Sequence, residues 1–567
     1  MTRKPAYGIL FLALLAGAYF LFRNRPEEAS MLLLNGIVYT ANEGQPRAEA
    51  IAILGDRIVG IGTTREIESL FRAPNVIDLK GKTVLPGLVD AHLHVEETGI
   101  SLMNVDLTGR NSIKEIQGLI AAAAGKNSAG GWVRGWGWDQ NRWEKKSMPR
   151  HEDLDAVSGA TPVYLVRIDG HAVWVNAKVM EIAGITKMTR DPEGGKIIRD
   201  GGGNPTGVFI DNAIQSLAAV LPSPSESERT EAIRRAMALF VKDGLTEVHD
   251  MGADLGTIAI YKKLAEEGQL PLRIYVVLDG GNRDAVEQYL KTGAEVDLYG
   301  GRLTVRSIKL YADGALGSRG AALLEPYGDD PGNRGLTLIS SGDLRDAADR
   351  ALSHGFQLCV HSIGDRANTM VLDAFDSVYK MKHMNGLEKR FRVEHAQIIR
   401  PSDIVRFKQV GVIPSMQPVH CTSDMPWAEE RVGPVRIAGA YAWRSLIDAG
   451  SIIPGGSDSP VEDANPLRGF YAAVSRQDLA GKPDSGWYPR ERMTRSEALK
   501  SFTVWGAHAA FQEGVKGSVE KGKWADLTVI SEDIMNCELR KIPDIRVEMT
   551  VVGGQVVRLS GEEARKP

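Results

Sequence analysis

Apolar positions follow two different rhythms along this chain. From Met31 to about Pro86, short apolar runs are broken by turn dipeptides. Residues 32–34 lead through Asn35-Gly36 to 37–40, and residues 51–54 lead through Gly55-Asp56 to 57–62. Runs of this length punctuated in this way predict β-hairpins. The C-terminus repeats the pattern over 526–530, 547–552, Gly553-Gly554 and 555–557. Two β-rich ends flanking an α/β middle predict that both ends of the chain meet in one small β-sandwich domain.

In the middle, apolar strand-like runs alternate with helical stretches such as 226–242 and 341–354. That alternation predicts a parallel sheet or barrel. Eight strands are read, over 88–94, 246–250, 273–278, 305–311, 357–361, 392–395, 412–416 and 452–455. The expected fold is therefore α/β, a (β/α)8 TIM barrel. One connection is too long for a loop: about 95–244 separates the first two strands, with its own strand over 163–168. It reads as an inserted subdomain over the barrel mouth. The expected division is a barrel over 87–512 containing this insert, with the sandwich split between 31–86 and 513–567.

Residues 1–30 stand apart. Arg3 and Lys4 precede an apolar run over 6–22, and Arg23 and Arg25 follow it. A run of this length is near the lower limit for a membrane span, roughly 17–25 residues. A signal peptide cleaved at Ala16-Gly17-Ala18 is the competing reading. Apolar residues 19–22 continue past that site, which favours an uncleaved anchor with the catalytic part outside the cytoplasm, periplasmic or extracellular. The flanking charges on both sides fix the orientation poorly.

Composition narrows the function. The 567 residues are 43% hydrophobic and 25% charged, with a formal net charge of -4. No basic stripe is interleaved with aromatics, which argues against a nucleic-acid partner. Cys359, Cys421 and Cys537 are far apart and form no CxxC, so neither a cysteine zinc knuckle nor a disulfide framework is expected.

The first strand ends in His92-Leu93-His94. Residues i and i+2 of a strand share a face, so both imidazoles point to the C-terminal mouth, where barrel active sites lie. Two converging neutral imidazoles form a zinc-type ligand pair. Later strands end in the same chemistry, with Lys309, His361, His395 and, after 452–457, Asp458. Singly, each could be a core or loop polar group. Together they set four histidines, an aspartate and a lysine at the strand ends of one barrel.

These motifs resemble the amidohydrolase superfamily, in particular the family 3 branch typified by YtcJ-like proteins. The matching residues are Pro86-Gly87-Leu88-Val89-Asp90-Ala91-His92-Leu93-His94, Lys309-Leu310-Tyr311-Ala312-Asp313-Gly314-Ala315-Leu316-Gly317-Ser318-Arg319, His361-Ser362-Ile363-Gly364-Asp365, Glu394-His395-Ala396-Gln397 and Gly456-Ser457-Asp458-Ser459-Pro460. The tail from Gly517 to Leu527 also matches, and the resemblance runs from residue 31 onward. It implies one or two divalent metals per subunit, zinc by preference. His92, His94 and Asp458 would hold one metal and His361 and His395 the second, with Lys309 bridging as a carbamate. The alternative for Lys309 is an ordinary ammonium paired with a carboxylate such as Asp313.

The resemblance also makes His171, in the insert, a substrate-contact candidate, with His420 a second. Arg319 suits an anionic substrate group and equally a structural salt bridge. His249 reads as a pocket wall, His354 as a helix-end cap, His508 as structural and His383 as exposed. Trp132, Trp136, Trp138 and Trp143 read as core rather than cavity wall, and Gly201-Gly202-Gly203 as a turn rather than a nucleotide loop.

The expected reaction is hydrolysis of a non-peptide carbon–nitrogen bond in a small amide-like molecule. A bound metal makes hydroxide available near neutral pH and polarises the carbonyl. Asp458, as ligand and acid/base, passes the proton to the leaving amine. Ester or lactone hydrolysis on the same scaffold, and a non-catalytic membrane-anchored binding protein, stay open. So does the choice between monomer and homo-oligomer.

Overall fold

The computed structural model describes residues 26–560, apart from 126–130, 219 and 223. The apolar run over 6–22 lies outside them. Among the described residues, no helix is long and apolar enough to cross a membrane.

Seven parallel strands follow one another in chain order: β1 (Leu88–Leu93), β2 (Leu245–Ala253), β3 (Arg273–Asp279), β4 (Leu303–Tyr311), β5 (Gln357–Ser362), β6 (Arg392–His395) and β7 (Ile413–Ser415). β1, β5, β6 and β7 are buried along their whole length, as strands covered on both faces must be. The eighth expected strand, 452–455, is not a regular strand. Pro454 has no N–H to give, and Gly455 donates to Ser501 O at 3.0 Å instead of to a neighbouring strand. The segment still closes the ring. Met416 donates to Pro454 O at 3.0 Å on one side, and Ala91 to Gly455 O at 2.9 Å on the other. The fold is thus a (β/α)8 barrel with one irregular stave.

That irregularity serves the mouth. Gly456 lies against β1 so closely that a Cβ there would sit 2.7 Å from His92 N. Asp458 N then donates to His92 O at 2.7 Å, and His94 N to Ser459 O at 2.9 Å. The loop carrying Asp458 is stitched directly onto the His92–His94 segment.

Strand β1 ends at Leu93, one residue earlier than expected, and His94 is the N-cap of helix α1 (Val95–Met103). Helix α1 packs on α2 (Glu226–Lys242), which starts at a capping box of Ser225 and Glu228. The packing is close enough to require Gly99, since a Cβ there would lie 1.9 Å from Ala232 O.

The segment between α1 and α2 forms its own six-stranded sheet, in the order Val105–Asp106, Val133–Trp138, Val163–Arg167, Ala172–Val175, Pro205–Asp211 and Gly195–Arg199. Trp138 stacks on Trp143 in its core and Trp174 meets both rings edge-on, with Leu154 and Leu165 in the same cluster. Gly201–Gly203 form the turn between its last two strands in sequence, with Gly203 donating to Asp200 O at 3.0 Å.

The chain ends meet as expected. A four-stranded sheet comes from the N-terminal part alone, in the order Arg57–Gly62, Ala50–Leu54, Met31–Leu34 and Asn75–Asp78. A six-stranded sheet is shared, because Leu527–Ile530 pairs antiparallel with Thr83–Pro86. Leu33, Ile51 and Ile53 of the first sheet and Val84, Leu527 and Val551 of the second bury one apolar layer between them. The strand Thr83–Pro86 runs into β1 one residue later, so the sandwich is anchored at the root of the strand that carries His92.

Candidate metal centre

His92 is fully buried in β1. Its Nδ1 lies 2.6 Å from Glu394 Oε2, and its Nε2 turns to the mouth, 3.3 Å from Asp458 Oδ1 and 3.4 Å from Lys309 Nζ. His94 Nε2 approaches the same Oδ1 at 3.2 Å. His395, at the end of β6, donates from Nδ1 to Gln417 Oε1 at 2.8 Å, which leaves its Nε2 lone pair free. Its ring centroid stands 4.7 Å from His92 and 4.5 Å from His361. One donor atom each from His92, His395 and Asp458 lie within 4.8 Å of one another. The structure thus brings His92, His94, Lys309, His361, His395 and Asp458 to one place at the strand ends.

Two of these residues hold costly backbone. Asp458 has φ 59° and His395 φ 74°, in the left-handed region that favours glycine. Such positions cost on the order of 1–3 kcal/mol and cluster at functional sites.

The ionisation pattern suits a cation. Burial and the nearby Lys309 push the His92 imidazolium down. Burial and neighbouring imidazoles push His361 and His395 well below the usual histidine range. In all three the shift favours the neutral imidazole, the form that binds metals, whereas His94 is raised, burial opposing and Asp458 outweighing it. Asp458 is held well below the usual carboxylate range: burial opposes this, but His92 and single hydrogen bonds from His420, His92 and His94 outweigh it. Burial also lowers Lys309. Lys309 forms no ion pair among the described residues. The Asp313 carboxylate, its suggested partner, is taken by the N–H groups of Ala322, Ile363 and Gly364 at 2.8–2.9 Å. His361 Nε2 is a buried nitrogen without a hydrogen-bond partner, 3.7 Å from Asp313 Oδ1. Imidazoles, a carboxylate and a buried amine without an ion pair converging in this way fit a divalent metal of the zinc type.

A cavity of about 1620 Å³ opens above this cluster, walled by the barrel mouth and the insert. Trp136 of the insert lines it and donates to Pro460 O at 3.2 Å, just beyond Asp458. Trp136 is thus cavity wall, unlike Trp138 and Trp143. His171 reaches in from the insert, with Nδ1 2.7 Å from Asp211 Oδ1 and its ring 5.1 Å from His361. Burial works against its charge, but Asp211 outweighs it and raises His171 to about 9. His420 lies between Asp458 Oδ2 and Glu462 Oε1, both at 3.3 Å. Burial again opposes, and the two carboxylates raise it to about 10. Arg319 stays outside this group. It pairs with Asp329 at 2.9 Å, the structural role, and does not line the cavity.

His249 is not a pocket wall. It lies beneath the cluster, 3.1 Å from Glu247 and 3.0 Å from Arg392. Arg392 and Glu394 are neighbours of the cluster to which the sequence reading gave no role, although Glu394 stands in a matching motif. Their signal was present: charged residues at i and i+2 of a fully buried strand need partners inside the barrel. His354 caps its helix end, with Nδ1 2.8 Å from Arg350 O.

Comparison with known proteins finds relatives along most of the chain. A model of the amidohydrolase family matches residues 75–558. The chain is 32% identical over 542 residues to Protein LONG AFTER FAR-RED 3 of Arabidopsis thaliana, covering 93% of this chain and 91% of that one. It is 31% identical to the putative amidohydrolase YtcJ of Bacillus subtilis, covering 92% and 98%. It is 27% identical to the N-substituted formamide deformylase of Arthrobacter pascens, covering 92% and 97%. Among solved structures, an uncharacterized metal-dependent hydrolase from Pyrococcus horikoshii superimposes with a TM-score of 0.72 at 27% identity, covering 90% of this chain and 99% of that one.

Proposed function

The chain belongs to the amidohydrolase family, and on that premise we propose that it hydrolyses a carbon–nitrogen bond of a small non-peptide amide. The observation that carries this reading is the convergence of His92, His395 and Asp458 donors within 4.8 Å at the base of a large cavity. The formamide deformylase, similar along nearly its whole length, supports the bond type.

His92, His94 and Asp458 would hold one metal and His361 and His395 a second, with Lys309, carboxylated on Nζ, between them. A divalent metal there, zinc in this reading, supplies a Lewis acid that polarises a carbonyl and acidifies a water molecule. The protein does the rest. Asp458 turns Oδ1 toward His92 and His94, and Oδ2 toward His420 and the cavity. Oδ2 is therefore the oxygen placed to take a proton from the attacking water and return it to the leaving nitrogen as the C–N bond breaks. His420 holds that oxygen in position. His171, charged through its contact with Asp211, offers an N–H to a carbonyl or carboxylate of the substrate.

The test is metal quantification of the purified protein coupled to hydrolysis assays on N-substituted formamides, other N-acyl compounds, cyclic amides, esters and lactones. Amine release that depends on bound metal supports the proposal. Metal-dependent turnover confined to esters or lactones would replace the bond type and keep the site.

A further inference from the structure

Beneath the metal centre, the barrel interior holds a row of charged and polar side chains for which hydrolysis as derived above has no use. Lys516 pairs with Glu247. Glu247 Oε1 accepts from His249 Nε2 at 3.1 Å, and His249 Nδ1 accepts from Arg392 Nη1 at 3.0 Å. Arg392 donates from Nη2 to Glu394 Oε2 at 3.0 Å, and its Nε lies 2.6 Å from Oε1 as an ion-pair contact without hydrogen-bond geometry. Glu394 Oε2 then meets His92 Nδ1 at 2.6 Å. None of these six side chains is more than about 3% exposed.

Such a row is an expensive way to fill a barrel. Apolar side chains of similar volume usually serve stability as well or better than buried ion pairs. What ion pairs supply is orientation, and orientation matters most at the His92 end. A carboxylate can only accept, so the short contact requires Nδ1 of His92 to carry the proton. The Nε2 lone pair then faces Asp458, Lys309 and the mouth. One carboxylate oxygen alone could swing away. Arg392 holds Oε2 by a hydrogen bond and draws Oε1 by charge, and Arg392 is itself fixed by donating to Ala91 O at 2.6 Å in β1 and Ser415 Oγ at 2.8 Å in β7.

We propose that Arg392 and Glu394 are positioning residues for the metal centre, locking His92 in the Nδ1–H tautomer that presents Nε2 to a metal. The inference rests on the metal reading of the site. Partners of this kind on the far nitrogen of a ligating histidine affect metal affinity by about 10–100-fold.

The test is Glu394→Gln, which keeps the shape but sets an amide N–H₂ against either Arg392 or His92. Zinc affinity is measured for the full chain by competition with a chromophoric chelator, beside the melting of the metal-free protein. The expected result is a loss of zinc affinity of about 10–100-fold in a protein that still folds. A lowered melting temperature with unchanged zinc affinity would reduce the pair to a purely structural role. Should the variant not fold, ¹⁵N-histidine spectra of metal-free wild type decide the matter. An Nδ1–H tautomer at His92 supports the proposal, and an Nε2–H tautomer overturns it. Wild-type protein that binds no zinc contradicts the metal reading itself, and with it this inference. Wild-type binding matched by Glu394→Gln contradicts only the positioning role.

Discussion

Asp458 Oδ1 lies 3.3 Å from His92 Nε2, across the seam where the irregular eighth stave of the barrel meets β1. The two are held together by backbone, through the Asp458 N–H to His92 O bond of 2.7 Å, so their side chains face each other whatever occupies the space between. Replacing Asp458 by Asn keeps that backbone and removes the proton acceptor. Turnover on a verified substrate should fall by about 10²–10⁴-fold, with far-UV circular dichroism unchanged. An Asp458→Asn enzyme running at the wild-type rate would remove Asp458 from the chemistry.

Gly99 links packing to the site. It sits in α1, whose N-cap is His94, and its missing Cβ is what lets α1 rest on Ala232 of α2. Gly99→Ala forces the helices apart. Overpacking of this kind costs about 1–3 kcal/mol, and here the strain passes to His94. The expected outcome is a lower midpoint in denaturant together with reduced metal retention on dialysis. Retained stability and metal would mean that α1 moves without carrying His94.

His171 gives the pH dependence. Burial disfavours its charge, but Asp211 raises it to about 9, above an unfolded value of about 6.5. The sign follows from linkage. The stability from the His171–Asp211 pair is fully present below about pH 6.5 and is lost as pH rises through about 9. Melting temperatures of wild type and His171→Gln should therefore differ most near pH 6 and converge toward pH 9–10. Parallel curves across that range would show that His171 is not charged in the folded protein. The same variant should raise KM more than it lowers kcat if His171 contacts the substrate.

The proposal that the apolar run over 6–22 is a membrane anchor is tested by removing it. A chain lacking residues 1–25 should leave the membrane fraction for the soluble one, with metal content and turnover unchanged. Full-length protein already found in the soluble fraction would argue against an anchor.

Much of this was legible in the sequence because barrel strands are short buried runs that end at the mouth. HxH at 92–94 and the polar ends of the later runs located β1, β4, β5 and β6 and the residues they present. The eighth stave was readable as an apolar run, but its departure from strand geometry turns on where Pro454 and Gly455 find partners, which is tertiary information. The two ends of the chain could be paired because both carried hairpin signals. Arg319 shows the opposite limit. A lone arginine beside a glycine-rich motif suits an anion in sequence, and only the fold brings Asp329 to it. Trp136 and Trp138, two residues apart on one insert strand, go to cavity and core respectively. No periodicity separated them, because Gly137 between them has φ 105°, and the pairing register shifts there. Arg392 and Glu394 could have been read as a buried pair, but their contact with His92 spans strands on opposite sides of the ring closure.

The proposed function requires that the His92, His94, Lys309, His361, His395 and Asp458 cluster hold a divalent metal on which amide hydrolysis depends. Metal analysis of purified protein, before and after chelator dialysis, with amine release from an N-substituted formamide assayed on the same samples, tests it most directly. The expected result is one or two zinc-type ions per chain, loss of turnover with their removal and recovery on re-addition. Protein that carries no metal above background, or that turns over equally well after stripping, would contradict it.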